Sequence, residues 1–175
     1  MLENRSALAL IGGLAALASA LLFSPALAQV PPGTGWDSWT FGNWGPYRET
    51  MKFEREEAVA KHNYCPTGGC VLRVERVDIT PFRARKGDTL TLITTYTLLT
   101  PEMVAIQVTF SREIFYQGKS LGKVKDIDAR NKNGTFNREI SFTLPKNAPA
   151  GDYTLVTKVS TGFGEDLKSV RFLVE

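Results

Sequence analysis

The feature that most constrains this chain is a succession of short alternating runs that begins at Val71 and continues to Val174. Seven can be drawn: Val71–Ile79, Asp88–Leu99, Met103–Tyr116, Lys119–Ile127, Thr135–Leu144, Asp152–Ser160 and Leu167–Val174. In the third, Val104, Ile106, Val108 and Phe110 fall on one face, opposite Gln107, Thr109 and Ser111. In the fifth, Phe136, Arg138, Ile140 and Phe142 alternate with polar neighbours. Successive side chains of a strand point to opposite faces, so a period of two marks a pleated element with one face in a core. The fourth run is highly charged, as suits an edge strand. The joints carry turn chemistry at Lys86-Gly87-Asp88, at Asn133-Gly134 and from Pro145 to Gly151. Seven short strands over about 100 residues, with turns at this spacing, predict an all-β, seven-stranded sandwich spanning residues 71–175.

Within that region, the stretch from Phe142-Thr143-Leu144-Pro145 through Pro149-Ala150-Gly151 to Tyr153 and Leu155 resembles a turn of bacterial immunoglobulin-like domains. In those domains a strand ends in Leu-Pro, and a Pro-x-Gly turn precedes a tyrosine whose hydroxyl ties the corner to nearby backbone. Tyr153 takes that place. Lys86-Gly87-Asp88-Thr89-Leu90 is similar to their turn into the second strand. The resemblance covers Val71 to Glu175 and implies an immunoglobulin-like fold. On function it is silent, because the same fold serves adhesion, assembly, inhibition and carbohydrate binding. The antibody pattern of a core tryptophan between two cysteines is missing, since no tryptophan follows Trp44.

Residues 1–28 read as a secretory signal peptide. Arg5 supplies positive charge, an apolar stretch runs from Ala7 to Phe23, and Ala26-Leu27-Ala28 offers a small-x-small cleavage site before Gln29. The stretch is broken by Gly12-Gly13 and is short of the roughly 20 apolar residues that a span requires. The expectation is therefore an exported protein, periplasmic, extracellular or at the cell surface, with no membrane span once the signal is removed. The net charge of +3 is too mild to point to nucleic acid.

Residues 29–70 read as an N-terminal arm. Val30-Pro31-Pro32-Gly33 cannot enter a helix or a central strand. Then Trp36, Trp39, Phe41, Trp44 and Tyr47 follow closely, and they include every tryptophan of the chain. The charged string from Tyr47 to His62 is rich in helix formers and predicts a short helix, although Thr50 to Phe53 also alternates as an edge strand does. Cys65 and Cys70 enclose Pro66-Thr67-Gly68-Gly69, and an even cysteine count in an exported chain predicts a disulfide that pins the arm to the sandwich.

The chemistry-bearing residues are sparse. His62 is the single histidine; with Cys65 and Cys70 it would supply three ligands of a zinc or copper site, at a spacing that fits no standard zinc pattern. No Gly-x-Ser-x-Gly motif is present. Asp126, Asp128, Asn131 and Asn133 suggest a calcium loop but fail the EF-hand pattern at Arg130 and Asn131, which favours a solvated hairpin. Asn133-Gly134-Thr135 also matches a glycosylation sequon. The expectation is a non-catalytic binding or assembly protein without cofactor or metal. Its contact surface would be Trp36, Trp39, Phe41, Trp44 and Tyr47, and its partner an envelope or surface protein. Two alternatives stand beside it: a carbohydrate or cell-wall module using the same aromatics on a glycan, and a metal carrier or enzyme centred on His62. The aromatics would instead serve the fold alone if the arm turned back and completed the core.

Overall fold

The computed structural model describes residues 44–65 and 69–175, with backbone alone at 124–127. Nine strands and one helix follow in chain order: β1 (Arg48–Phe53), α1 (Arg55–His62), β2 (Val71–Thr80), β3 (Arg83–Ala84), β4 (Thr89–Leu99), β5 (Ile106–Tyr116), β6 (Lys119–Asn131), β7 (Gly134–Thr143), β8 (Gly151–Thr161) and β9 (Gly164–Val174). They form two sheets, ordered β1-β7-β4-β2 and β3-β9-β8-β5-β6. The molecule is thus an all-β sandwich, as the period-two runs require. All seven runs are strands.

Two short strands raise the number above the expected seven. One is β3, only two residues long and parallel to β9. Pro81 has no N–H to continue the β2 ladder, and the chain crosses there to the other sheet, where Leu173 N–H donates to Phe82 O and Glu175 N–H to Ala84 O, each at 2.9 Å. The other is β1, which occupies the first half of the stretch expected to be helical. It pairs with β7 through Arg48↔Glu139, Glu49↔Arg138, Thr50↔Asn137 and Met51↔Phe136. A sheet edge offers a full row of partners to those backbone groups, and that tertiary gain overrides weak helix propensity.

Helix forms only in the second half of that stretch. Glu56 and Glu57 sit in the first turn of α1, and Lys61 and His62 in the last, which complements the helix dipole at both ends. Asn63, at φ 47°, closes it in the left-handed conformation. The helix buries Ala58 against Tyr64 and Leu99, in a small cluster joined by Phe53, Val59 and Val71.

The main core lies between the sheets and is dominated by aromatic rings. Tyr96 stacks on Phe136 at 5.4 Å and meets Phe110 edge-on at 5.2 Å. Tyr153 stacks on Phe172 at 5.2 Å and is fully buried. Full burial of one such side chain stabilises by roughly 1.5–3 kcal/mol. Its hydroxyl donates to Pro149 O at 2.8 Å, the corner tie expected of Tyr153. At Gly134, φ is 153° and an added Cβ would lie 2.9 Å from Phe53 O. Only glycine lets the end of β1 approach β7 this closely.

Candidate functional site

Trp36, Trp39 and Phe41 lie outside the described residues. Trp44 is half-buried, bridges in the antiparallel sense to Phe142 and stacks on its ring at 4.5 Å. Tyr47 precedes β1 and remains 45% exposed. The structure therefore divides the two: Trp44 joins the edge of the core, and Tyr47 faces solvent.

Behind Tyr47 stands Arg138, with its guanidinium carbon 3.8 Å from the Tyr47 ring centroid and 4.0 Å from that of Phe110. Arg138 is completely buried, so Tyr47 is the layer between this cation and water. Arg112 of β5 lies nearby, 5.7 Å from Phe110 and 5.9 Å from Trp44, and it too is buried. Rings present the negative face of their quadrupole to such cations. That attraction offsets only part of the cost of taking a guanidinium out of water.

The polar residues around this pair are set by strand register. Thr94 of β4 and Glu49 of β1 flank Arg138 in the first sheet, while Thr157 of β8 pairs with Arg112 in the second. Directly opposed residues of an antiparallel pair share a face. Glu49 Oε2 lies 3.4 Å from Arg138 Nη1 and accepts from the Tyr96 hydroxyl at 3.0 Å. Asn131 Nδ2 donates to Glu49 Oε1 at 2.8 Å and also to the Tyr96 hydroxyl oxygen. Burial first, and then the Glu49 charge, push the Tyr96 phenol far above its ordinary range. Burial first, and then Arg138, lower Arg112 to about 10. At neutral pH Arg112 is therefore still a cation.

Neither arginine was singled out as a functional residue by sequence reasoning. A usable signal was present: Arg138 stands in the inward register between Phe136 and Ile140, and Arg112 between Phe110 and Ile114. A cation in that register must enter the core.

The other sequence candidates are placed differently. No disulfide joins Cys65 and Cys70 in the structure, contrary to expectation. Next to Cys70, Gly69 O accepts instead from the Tyr64 hydroxyl at 2.6 Å. His62 Nε2 lies 2.9 Å from Glu75 Oε1 and 3.3 Å from Thr97 Oγ1. That nitrogen is occupied by structural contacts, and among the described residues no three potential metal ligands come together. The Asp128 to Asn133 segment is no solvated hairpin throughout, because Asn131 and Asn133 are buried. Asp128 accepts instead from Thr109 Oγ1 at 2.6 Å. No helix among the described residues is long and apolar enough to cross a membrane.

No protein-family model and no curated protein sequence matches the chain. Among solved structures it is similar to a β-glucosidase from Erythrobacter marinus at 10% identity and a TM-score of 0.46, over 61% of this chain and 16% of that one. A CARDB domain from Pyrococcus furiosus in complex with di-metal ions is similar at 12% identity and a TM-score of 0.40, over 61% of this chain and 94% of that one. The sporulation control protein Spo0M from Bacillus subtilis is similar at 12% identity and a TM-score of 0.38, over 62% of this chain and 50% of that one. The chain spans a small fraction of the β-glucosidase, and these likenesses carry no argument about activity or ligand.

Proposed function

We propose that this protein is an exported, non-catalytic, immunoglobulin-like binding and assembly domain that makes protein–protein contacts in the cell envelope or at the cell surface. Its contact surface is the aromatic segment Trp36, Trp39, Phe41, Trp44 and Tyr47. The observation that supports this reading is the contrast between Trp44 and Tyr47. The stack of Trp44 on Phe142 anchors the segment at the sandwich edge, while Tyr47 stays exposed there. Beside it, Met51 of β1 is also exposed, and β1 is the last strand of its sheet. An edge strand flanked by exposed aromatic and apolar side chains suits a partner that adds a strand or docks a groove.

A photo-crosslinking residue in place of Tyr47, introduced in the producing organism, tests the reading. One defined protein adduct is expected, and its yield should fall at least tenfold when Trp36, Trp39 and Phe41 are changed to alanine. Saturable quenching of tryptophan fluorescence by oligosaccharides, with no protein adduct, would replace the reading with a glycan-binding one.

A further inference from the structure

The inner faces of the two sheets meet in one layer that is polar within an otherwise apolar core. Thr94, Arg138 and Glu49 stand side by side on one sheet, and Arg112 and Thr157 on the other. Both guanidinium groups lie within 6 Å of the Phe110 ring. Among the described residues, Nε, Nη1 and Nη2 of Arg112, Nε and Nη2 of Arg138, and the hydroxyl oxygens of Thr94 and Thr157 are buried without a hydrogen-bond partner. Elsewhere among the described residues only Arg55 Nε shares that condition.

Unsatisfied donors concentrated in one layer differ from the scattered few of an ordinary core. Among the described residues the two arginines face one carboxylate, Glu49, which touches Arg138 alone and at 3.4 Å. Its oxygens are further engaged by Tyr96 and Asn131. Among the described residues one positive charge of this layer is left over. Aromatic rings soften a cation but carry no formal charge, and water accepts hydrogen bonds without cancelling one. An uncompensated buried cation competes with the whole stability margin of a domain. An oxoanion supplies both missing elements, since its oxygens accept the guanidinium fork bidentately and its charge closes the balance.

We propose that this layer is a binding site for one small, singly charged oxoanion, a carboxylate or an inorganic oxoanion, held by Arg112 and Arg138 with the Thr94 and Thr157 hydroxyls as further donors. Tyr47 is its door: it is 45% exposed and lies against the buried Arg138, so rotation of one side chain opens the layer to solvent. The site shares Tyr47 with the aromatic contact surface, but anion binding by the two arginines is read out separately from partner binding.

The test uses the purified full chain dialysed into chloride. Acetate, dihydrogen phosphate at pH 6, and a short peptide as free acid or as C-terminal amide are titrated separately at constant ionic strength, with melting temperature and calorimetry as readouts. At least one oxoanion should raise the melting temperature saturably, with a stoichiometry of one. Arg112→Met should weaken that binding at least tenfold while melting no lower than the parent in chloride. Arg112→Lys, which keeps the charge and loses the fork, should weaken it several-fold. If Arg112→Met does not fold, Arg112→Lys and Thr157→Val carry the same comparison. Binding of the acid peptide at least tenfold tighter than acetate, with none of the amide, would identify a partner's terminus as the source; equal binding would identify a free anion. A tightly retained anion would appear as about one equivalent on ion chromatography of the unfolded protein, a ratio set by the single site. Unchanged binding in the variants overturns the proposal. So does the lack of both a saturable response and a released anion, which would mean that water alone occupies the layer.

Discussion

The carboxamide of Asn133 grips Thr100 on both sides of its peptide unit. Its Oδ1 accepts from the Thr100 amide and hydroxyl, both at 3.0 Å, and its Nδ2 donates to the Thr100 carbonyl at 2.8 Å and to Glu102 O at 3.0 Å. The residue is buried, so these groups have little access to water in its place. Asn133 therefore fastens the loop between β4 and β5 to the turn that starts β7. Asn133→Ala should cost about 2–3 kcal/mol, since it strands several buried donors and acceptors at once. Urea unfolding measures it, and a loss below about 0.5 kcal/mol would refute the role. The same engagement of Nδ2 leaves the sequon at Asn133 unavailable for modification in the folded protein.

Tyr153 supports a narrower expectation. Its ring is packed between Phe172 and Tyr116 and its hydroxyl reaches Pro149 O. Tyr153→Phe keeps the packing and removes only the tie. The cost should be about 1 kcal/mol, the usual net worth of one such bond. The m-value should stay constant, since the same surface is exposed on unfolding. Tyr153→Ala, which also empties the core position, should cost about 3–5 kcal/mol.

Much of this architecture was legible because period-two patterning reports which face is buried and turn residues report where a strand must stop. The seven longer strands follow from that logic; the Tyr153 corner follows from the resemblance to bacterial immunoglobulin-like domains. Strand β3 was not legible, because two residues contain no period. Strand β1 was legible only as the edge-strand alternative at Thr50–Phe53, because a charged hexapeptide such as Arg48–Phe53 is decided by the vacant edge of β7 and not by its own propensities. The site was legible only in part. Aromatic density marked Trp44 and Tyr47, but nothing local to them announces Arg112 and Arg138, which come from strands far along the chain and meet only when the sheets stack. An arginine flanked by Phe and Ile in strict alternation was the signal available.

Glu75 organises the opposite margin of the first sheet. Its Oε1 accepts from Thr97 Oγ1 at 3.0 Å and lies 2.9 Å from His62 Nε2, while Oε2 is 3.9 Å from Lys61 Nζ. The end of α1 is thus fastened to β2 and β4 through one carboxylate. Glu75→Ala should cost about 1–2 kcal/mol and should loosen the helix first. Hydrogen exchange of the amides from Ala58 to His62 should accelerate at least fivefold, with the strands of the second sheet unchanged. Lys168 should stay in place, because it donates to the Glu75 backbone carbonyl at 2.8 Å and not to the side chain. Glu75→Gln keeps the acceptor for Thr97 and should cost less. Uniform acceleration in both sheets would mean that Glu75 supports the whole fold instead.

The buried cation leaves a signature in the pH dependence of stability. Arg112 falls from the ordinary arginine range to about 10, chiefly through burial and secondarily through Arg138. Below about 10 it is protonated in both folded and unfolded chains, and the folded state bears the full cost of the charge. Above about 10, and up to the ordinary arginine range, the folded state releases the proton while the unfolded chain keeps it. The unfolded state then binds more protons, so this residue's contribution to stability rises with pH. Two buried phenols, Tyr96 and Tyr153, act in the opposite direction, because burial raises both and their contribution is lost as pH climbs past the unfolded value. Glu49 faces the same layer. Comparison with Arg112→Met cancels these shared groups to first order. In chloride at pH 7 the variant should be more stable by about 1–3 kcal/mol, as when a buried ion is replaced by an apolar side chain of similar volume. That advantage should shrink as pH passes through about 10 to 11, the lowered range of this arginine. Urea titrations of both proteins at pH 7, 9, 10 and 11 measure it. A difference that stays flat across the series would refute an uncompensated Arg112 cation in the anion-free protein.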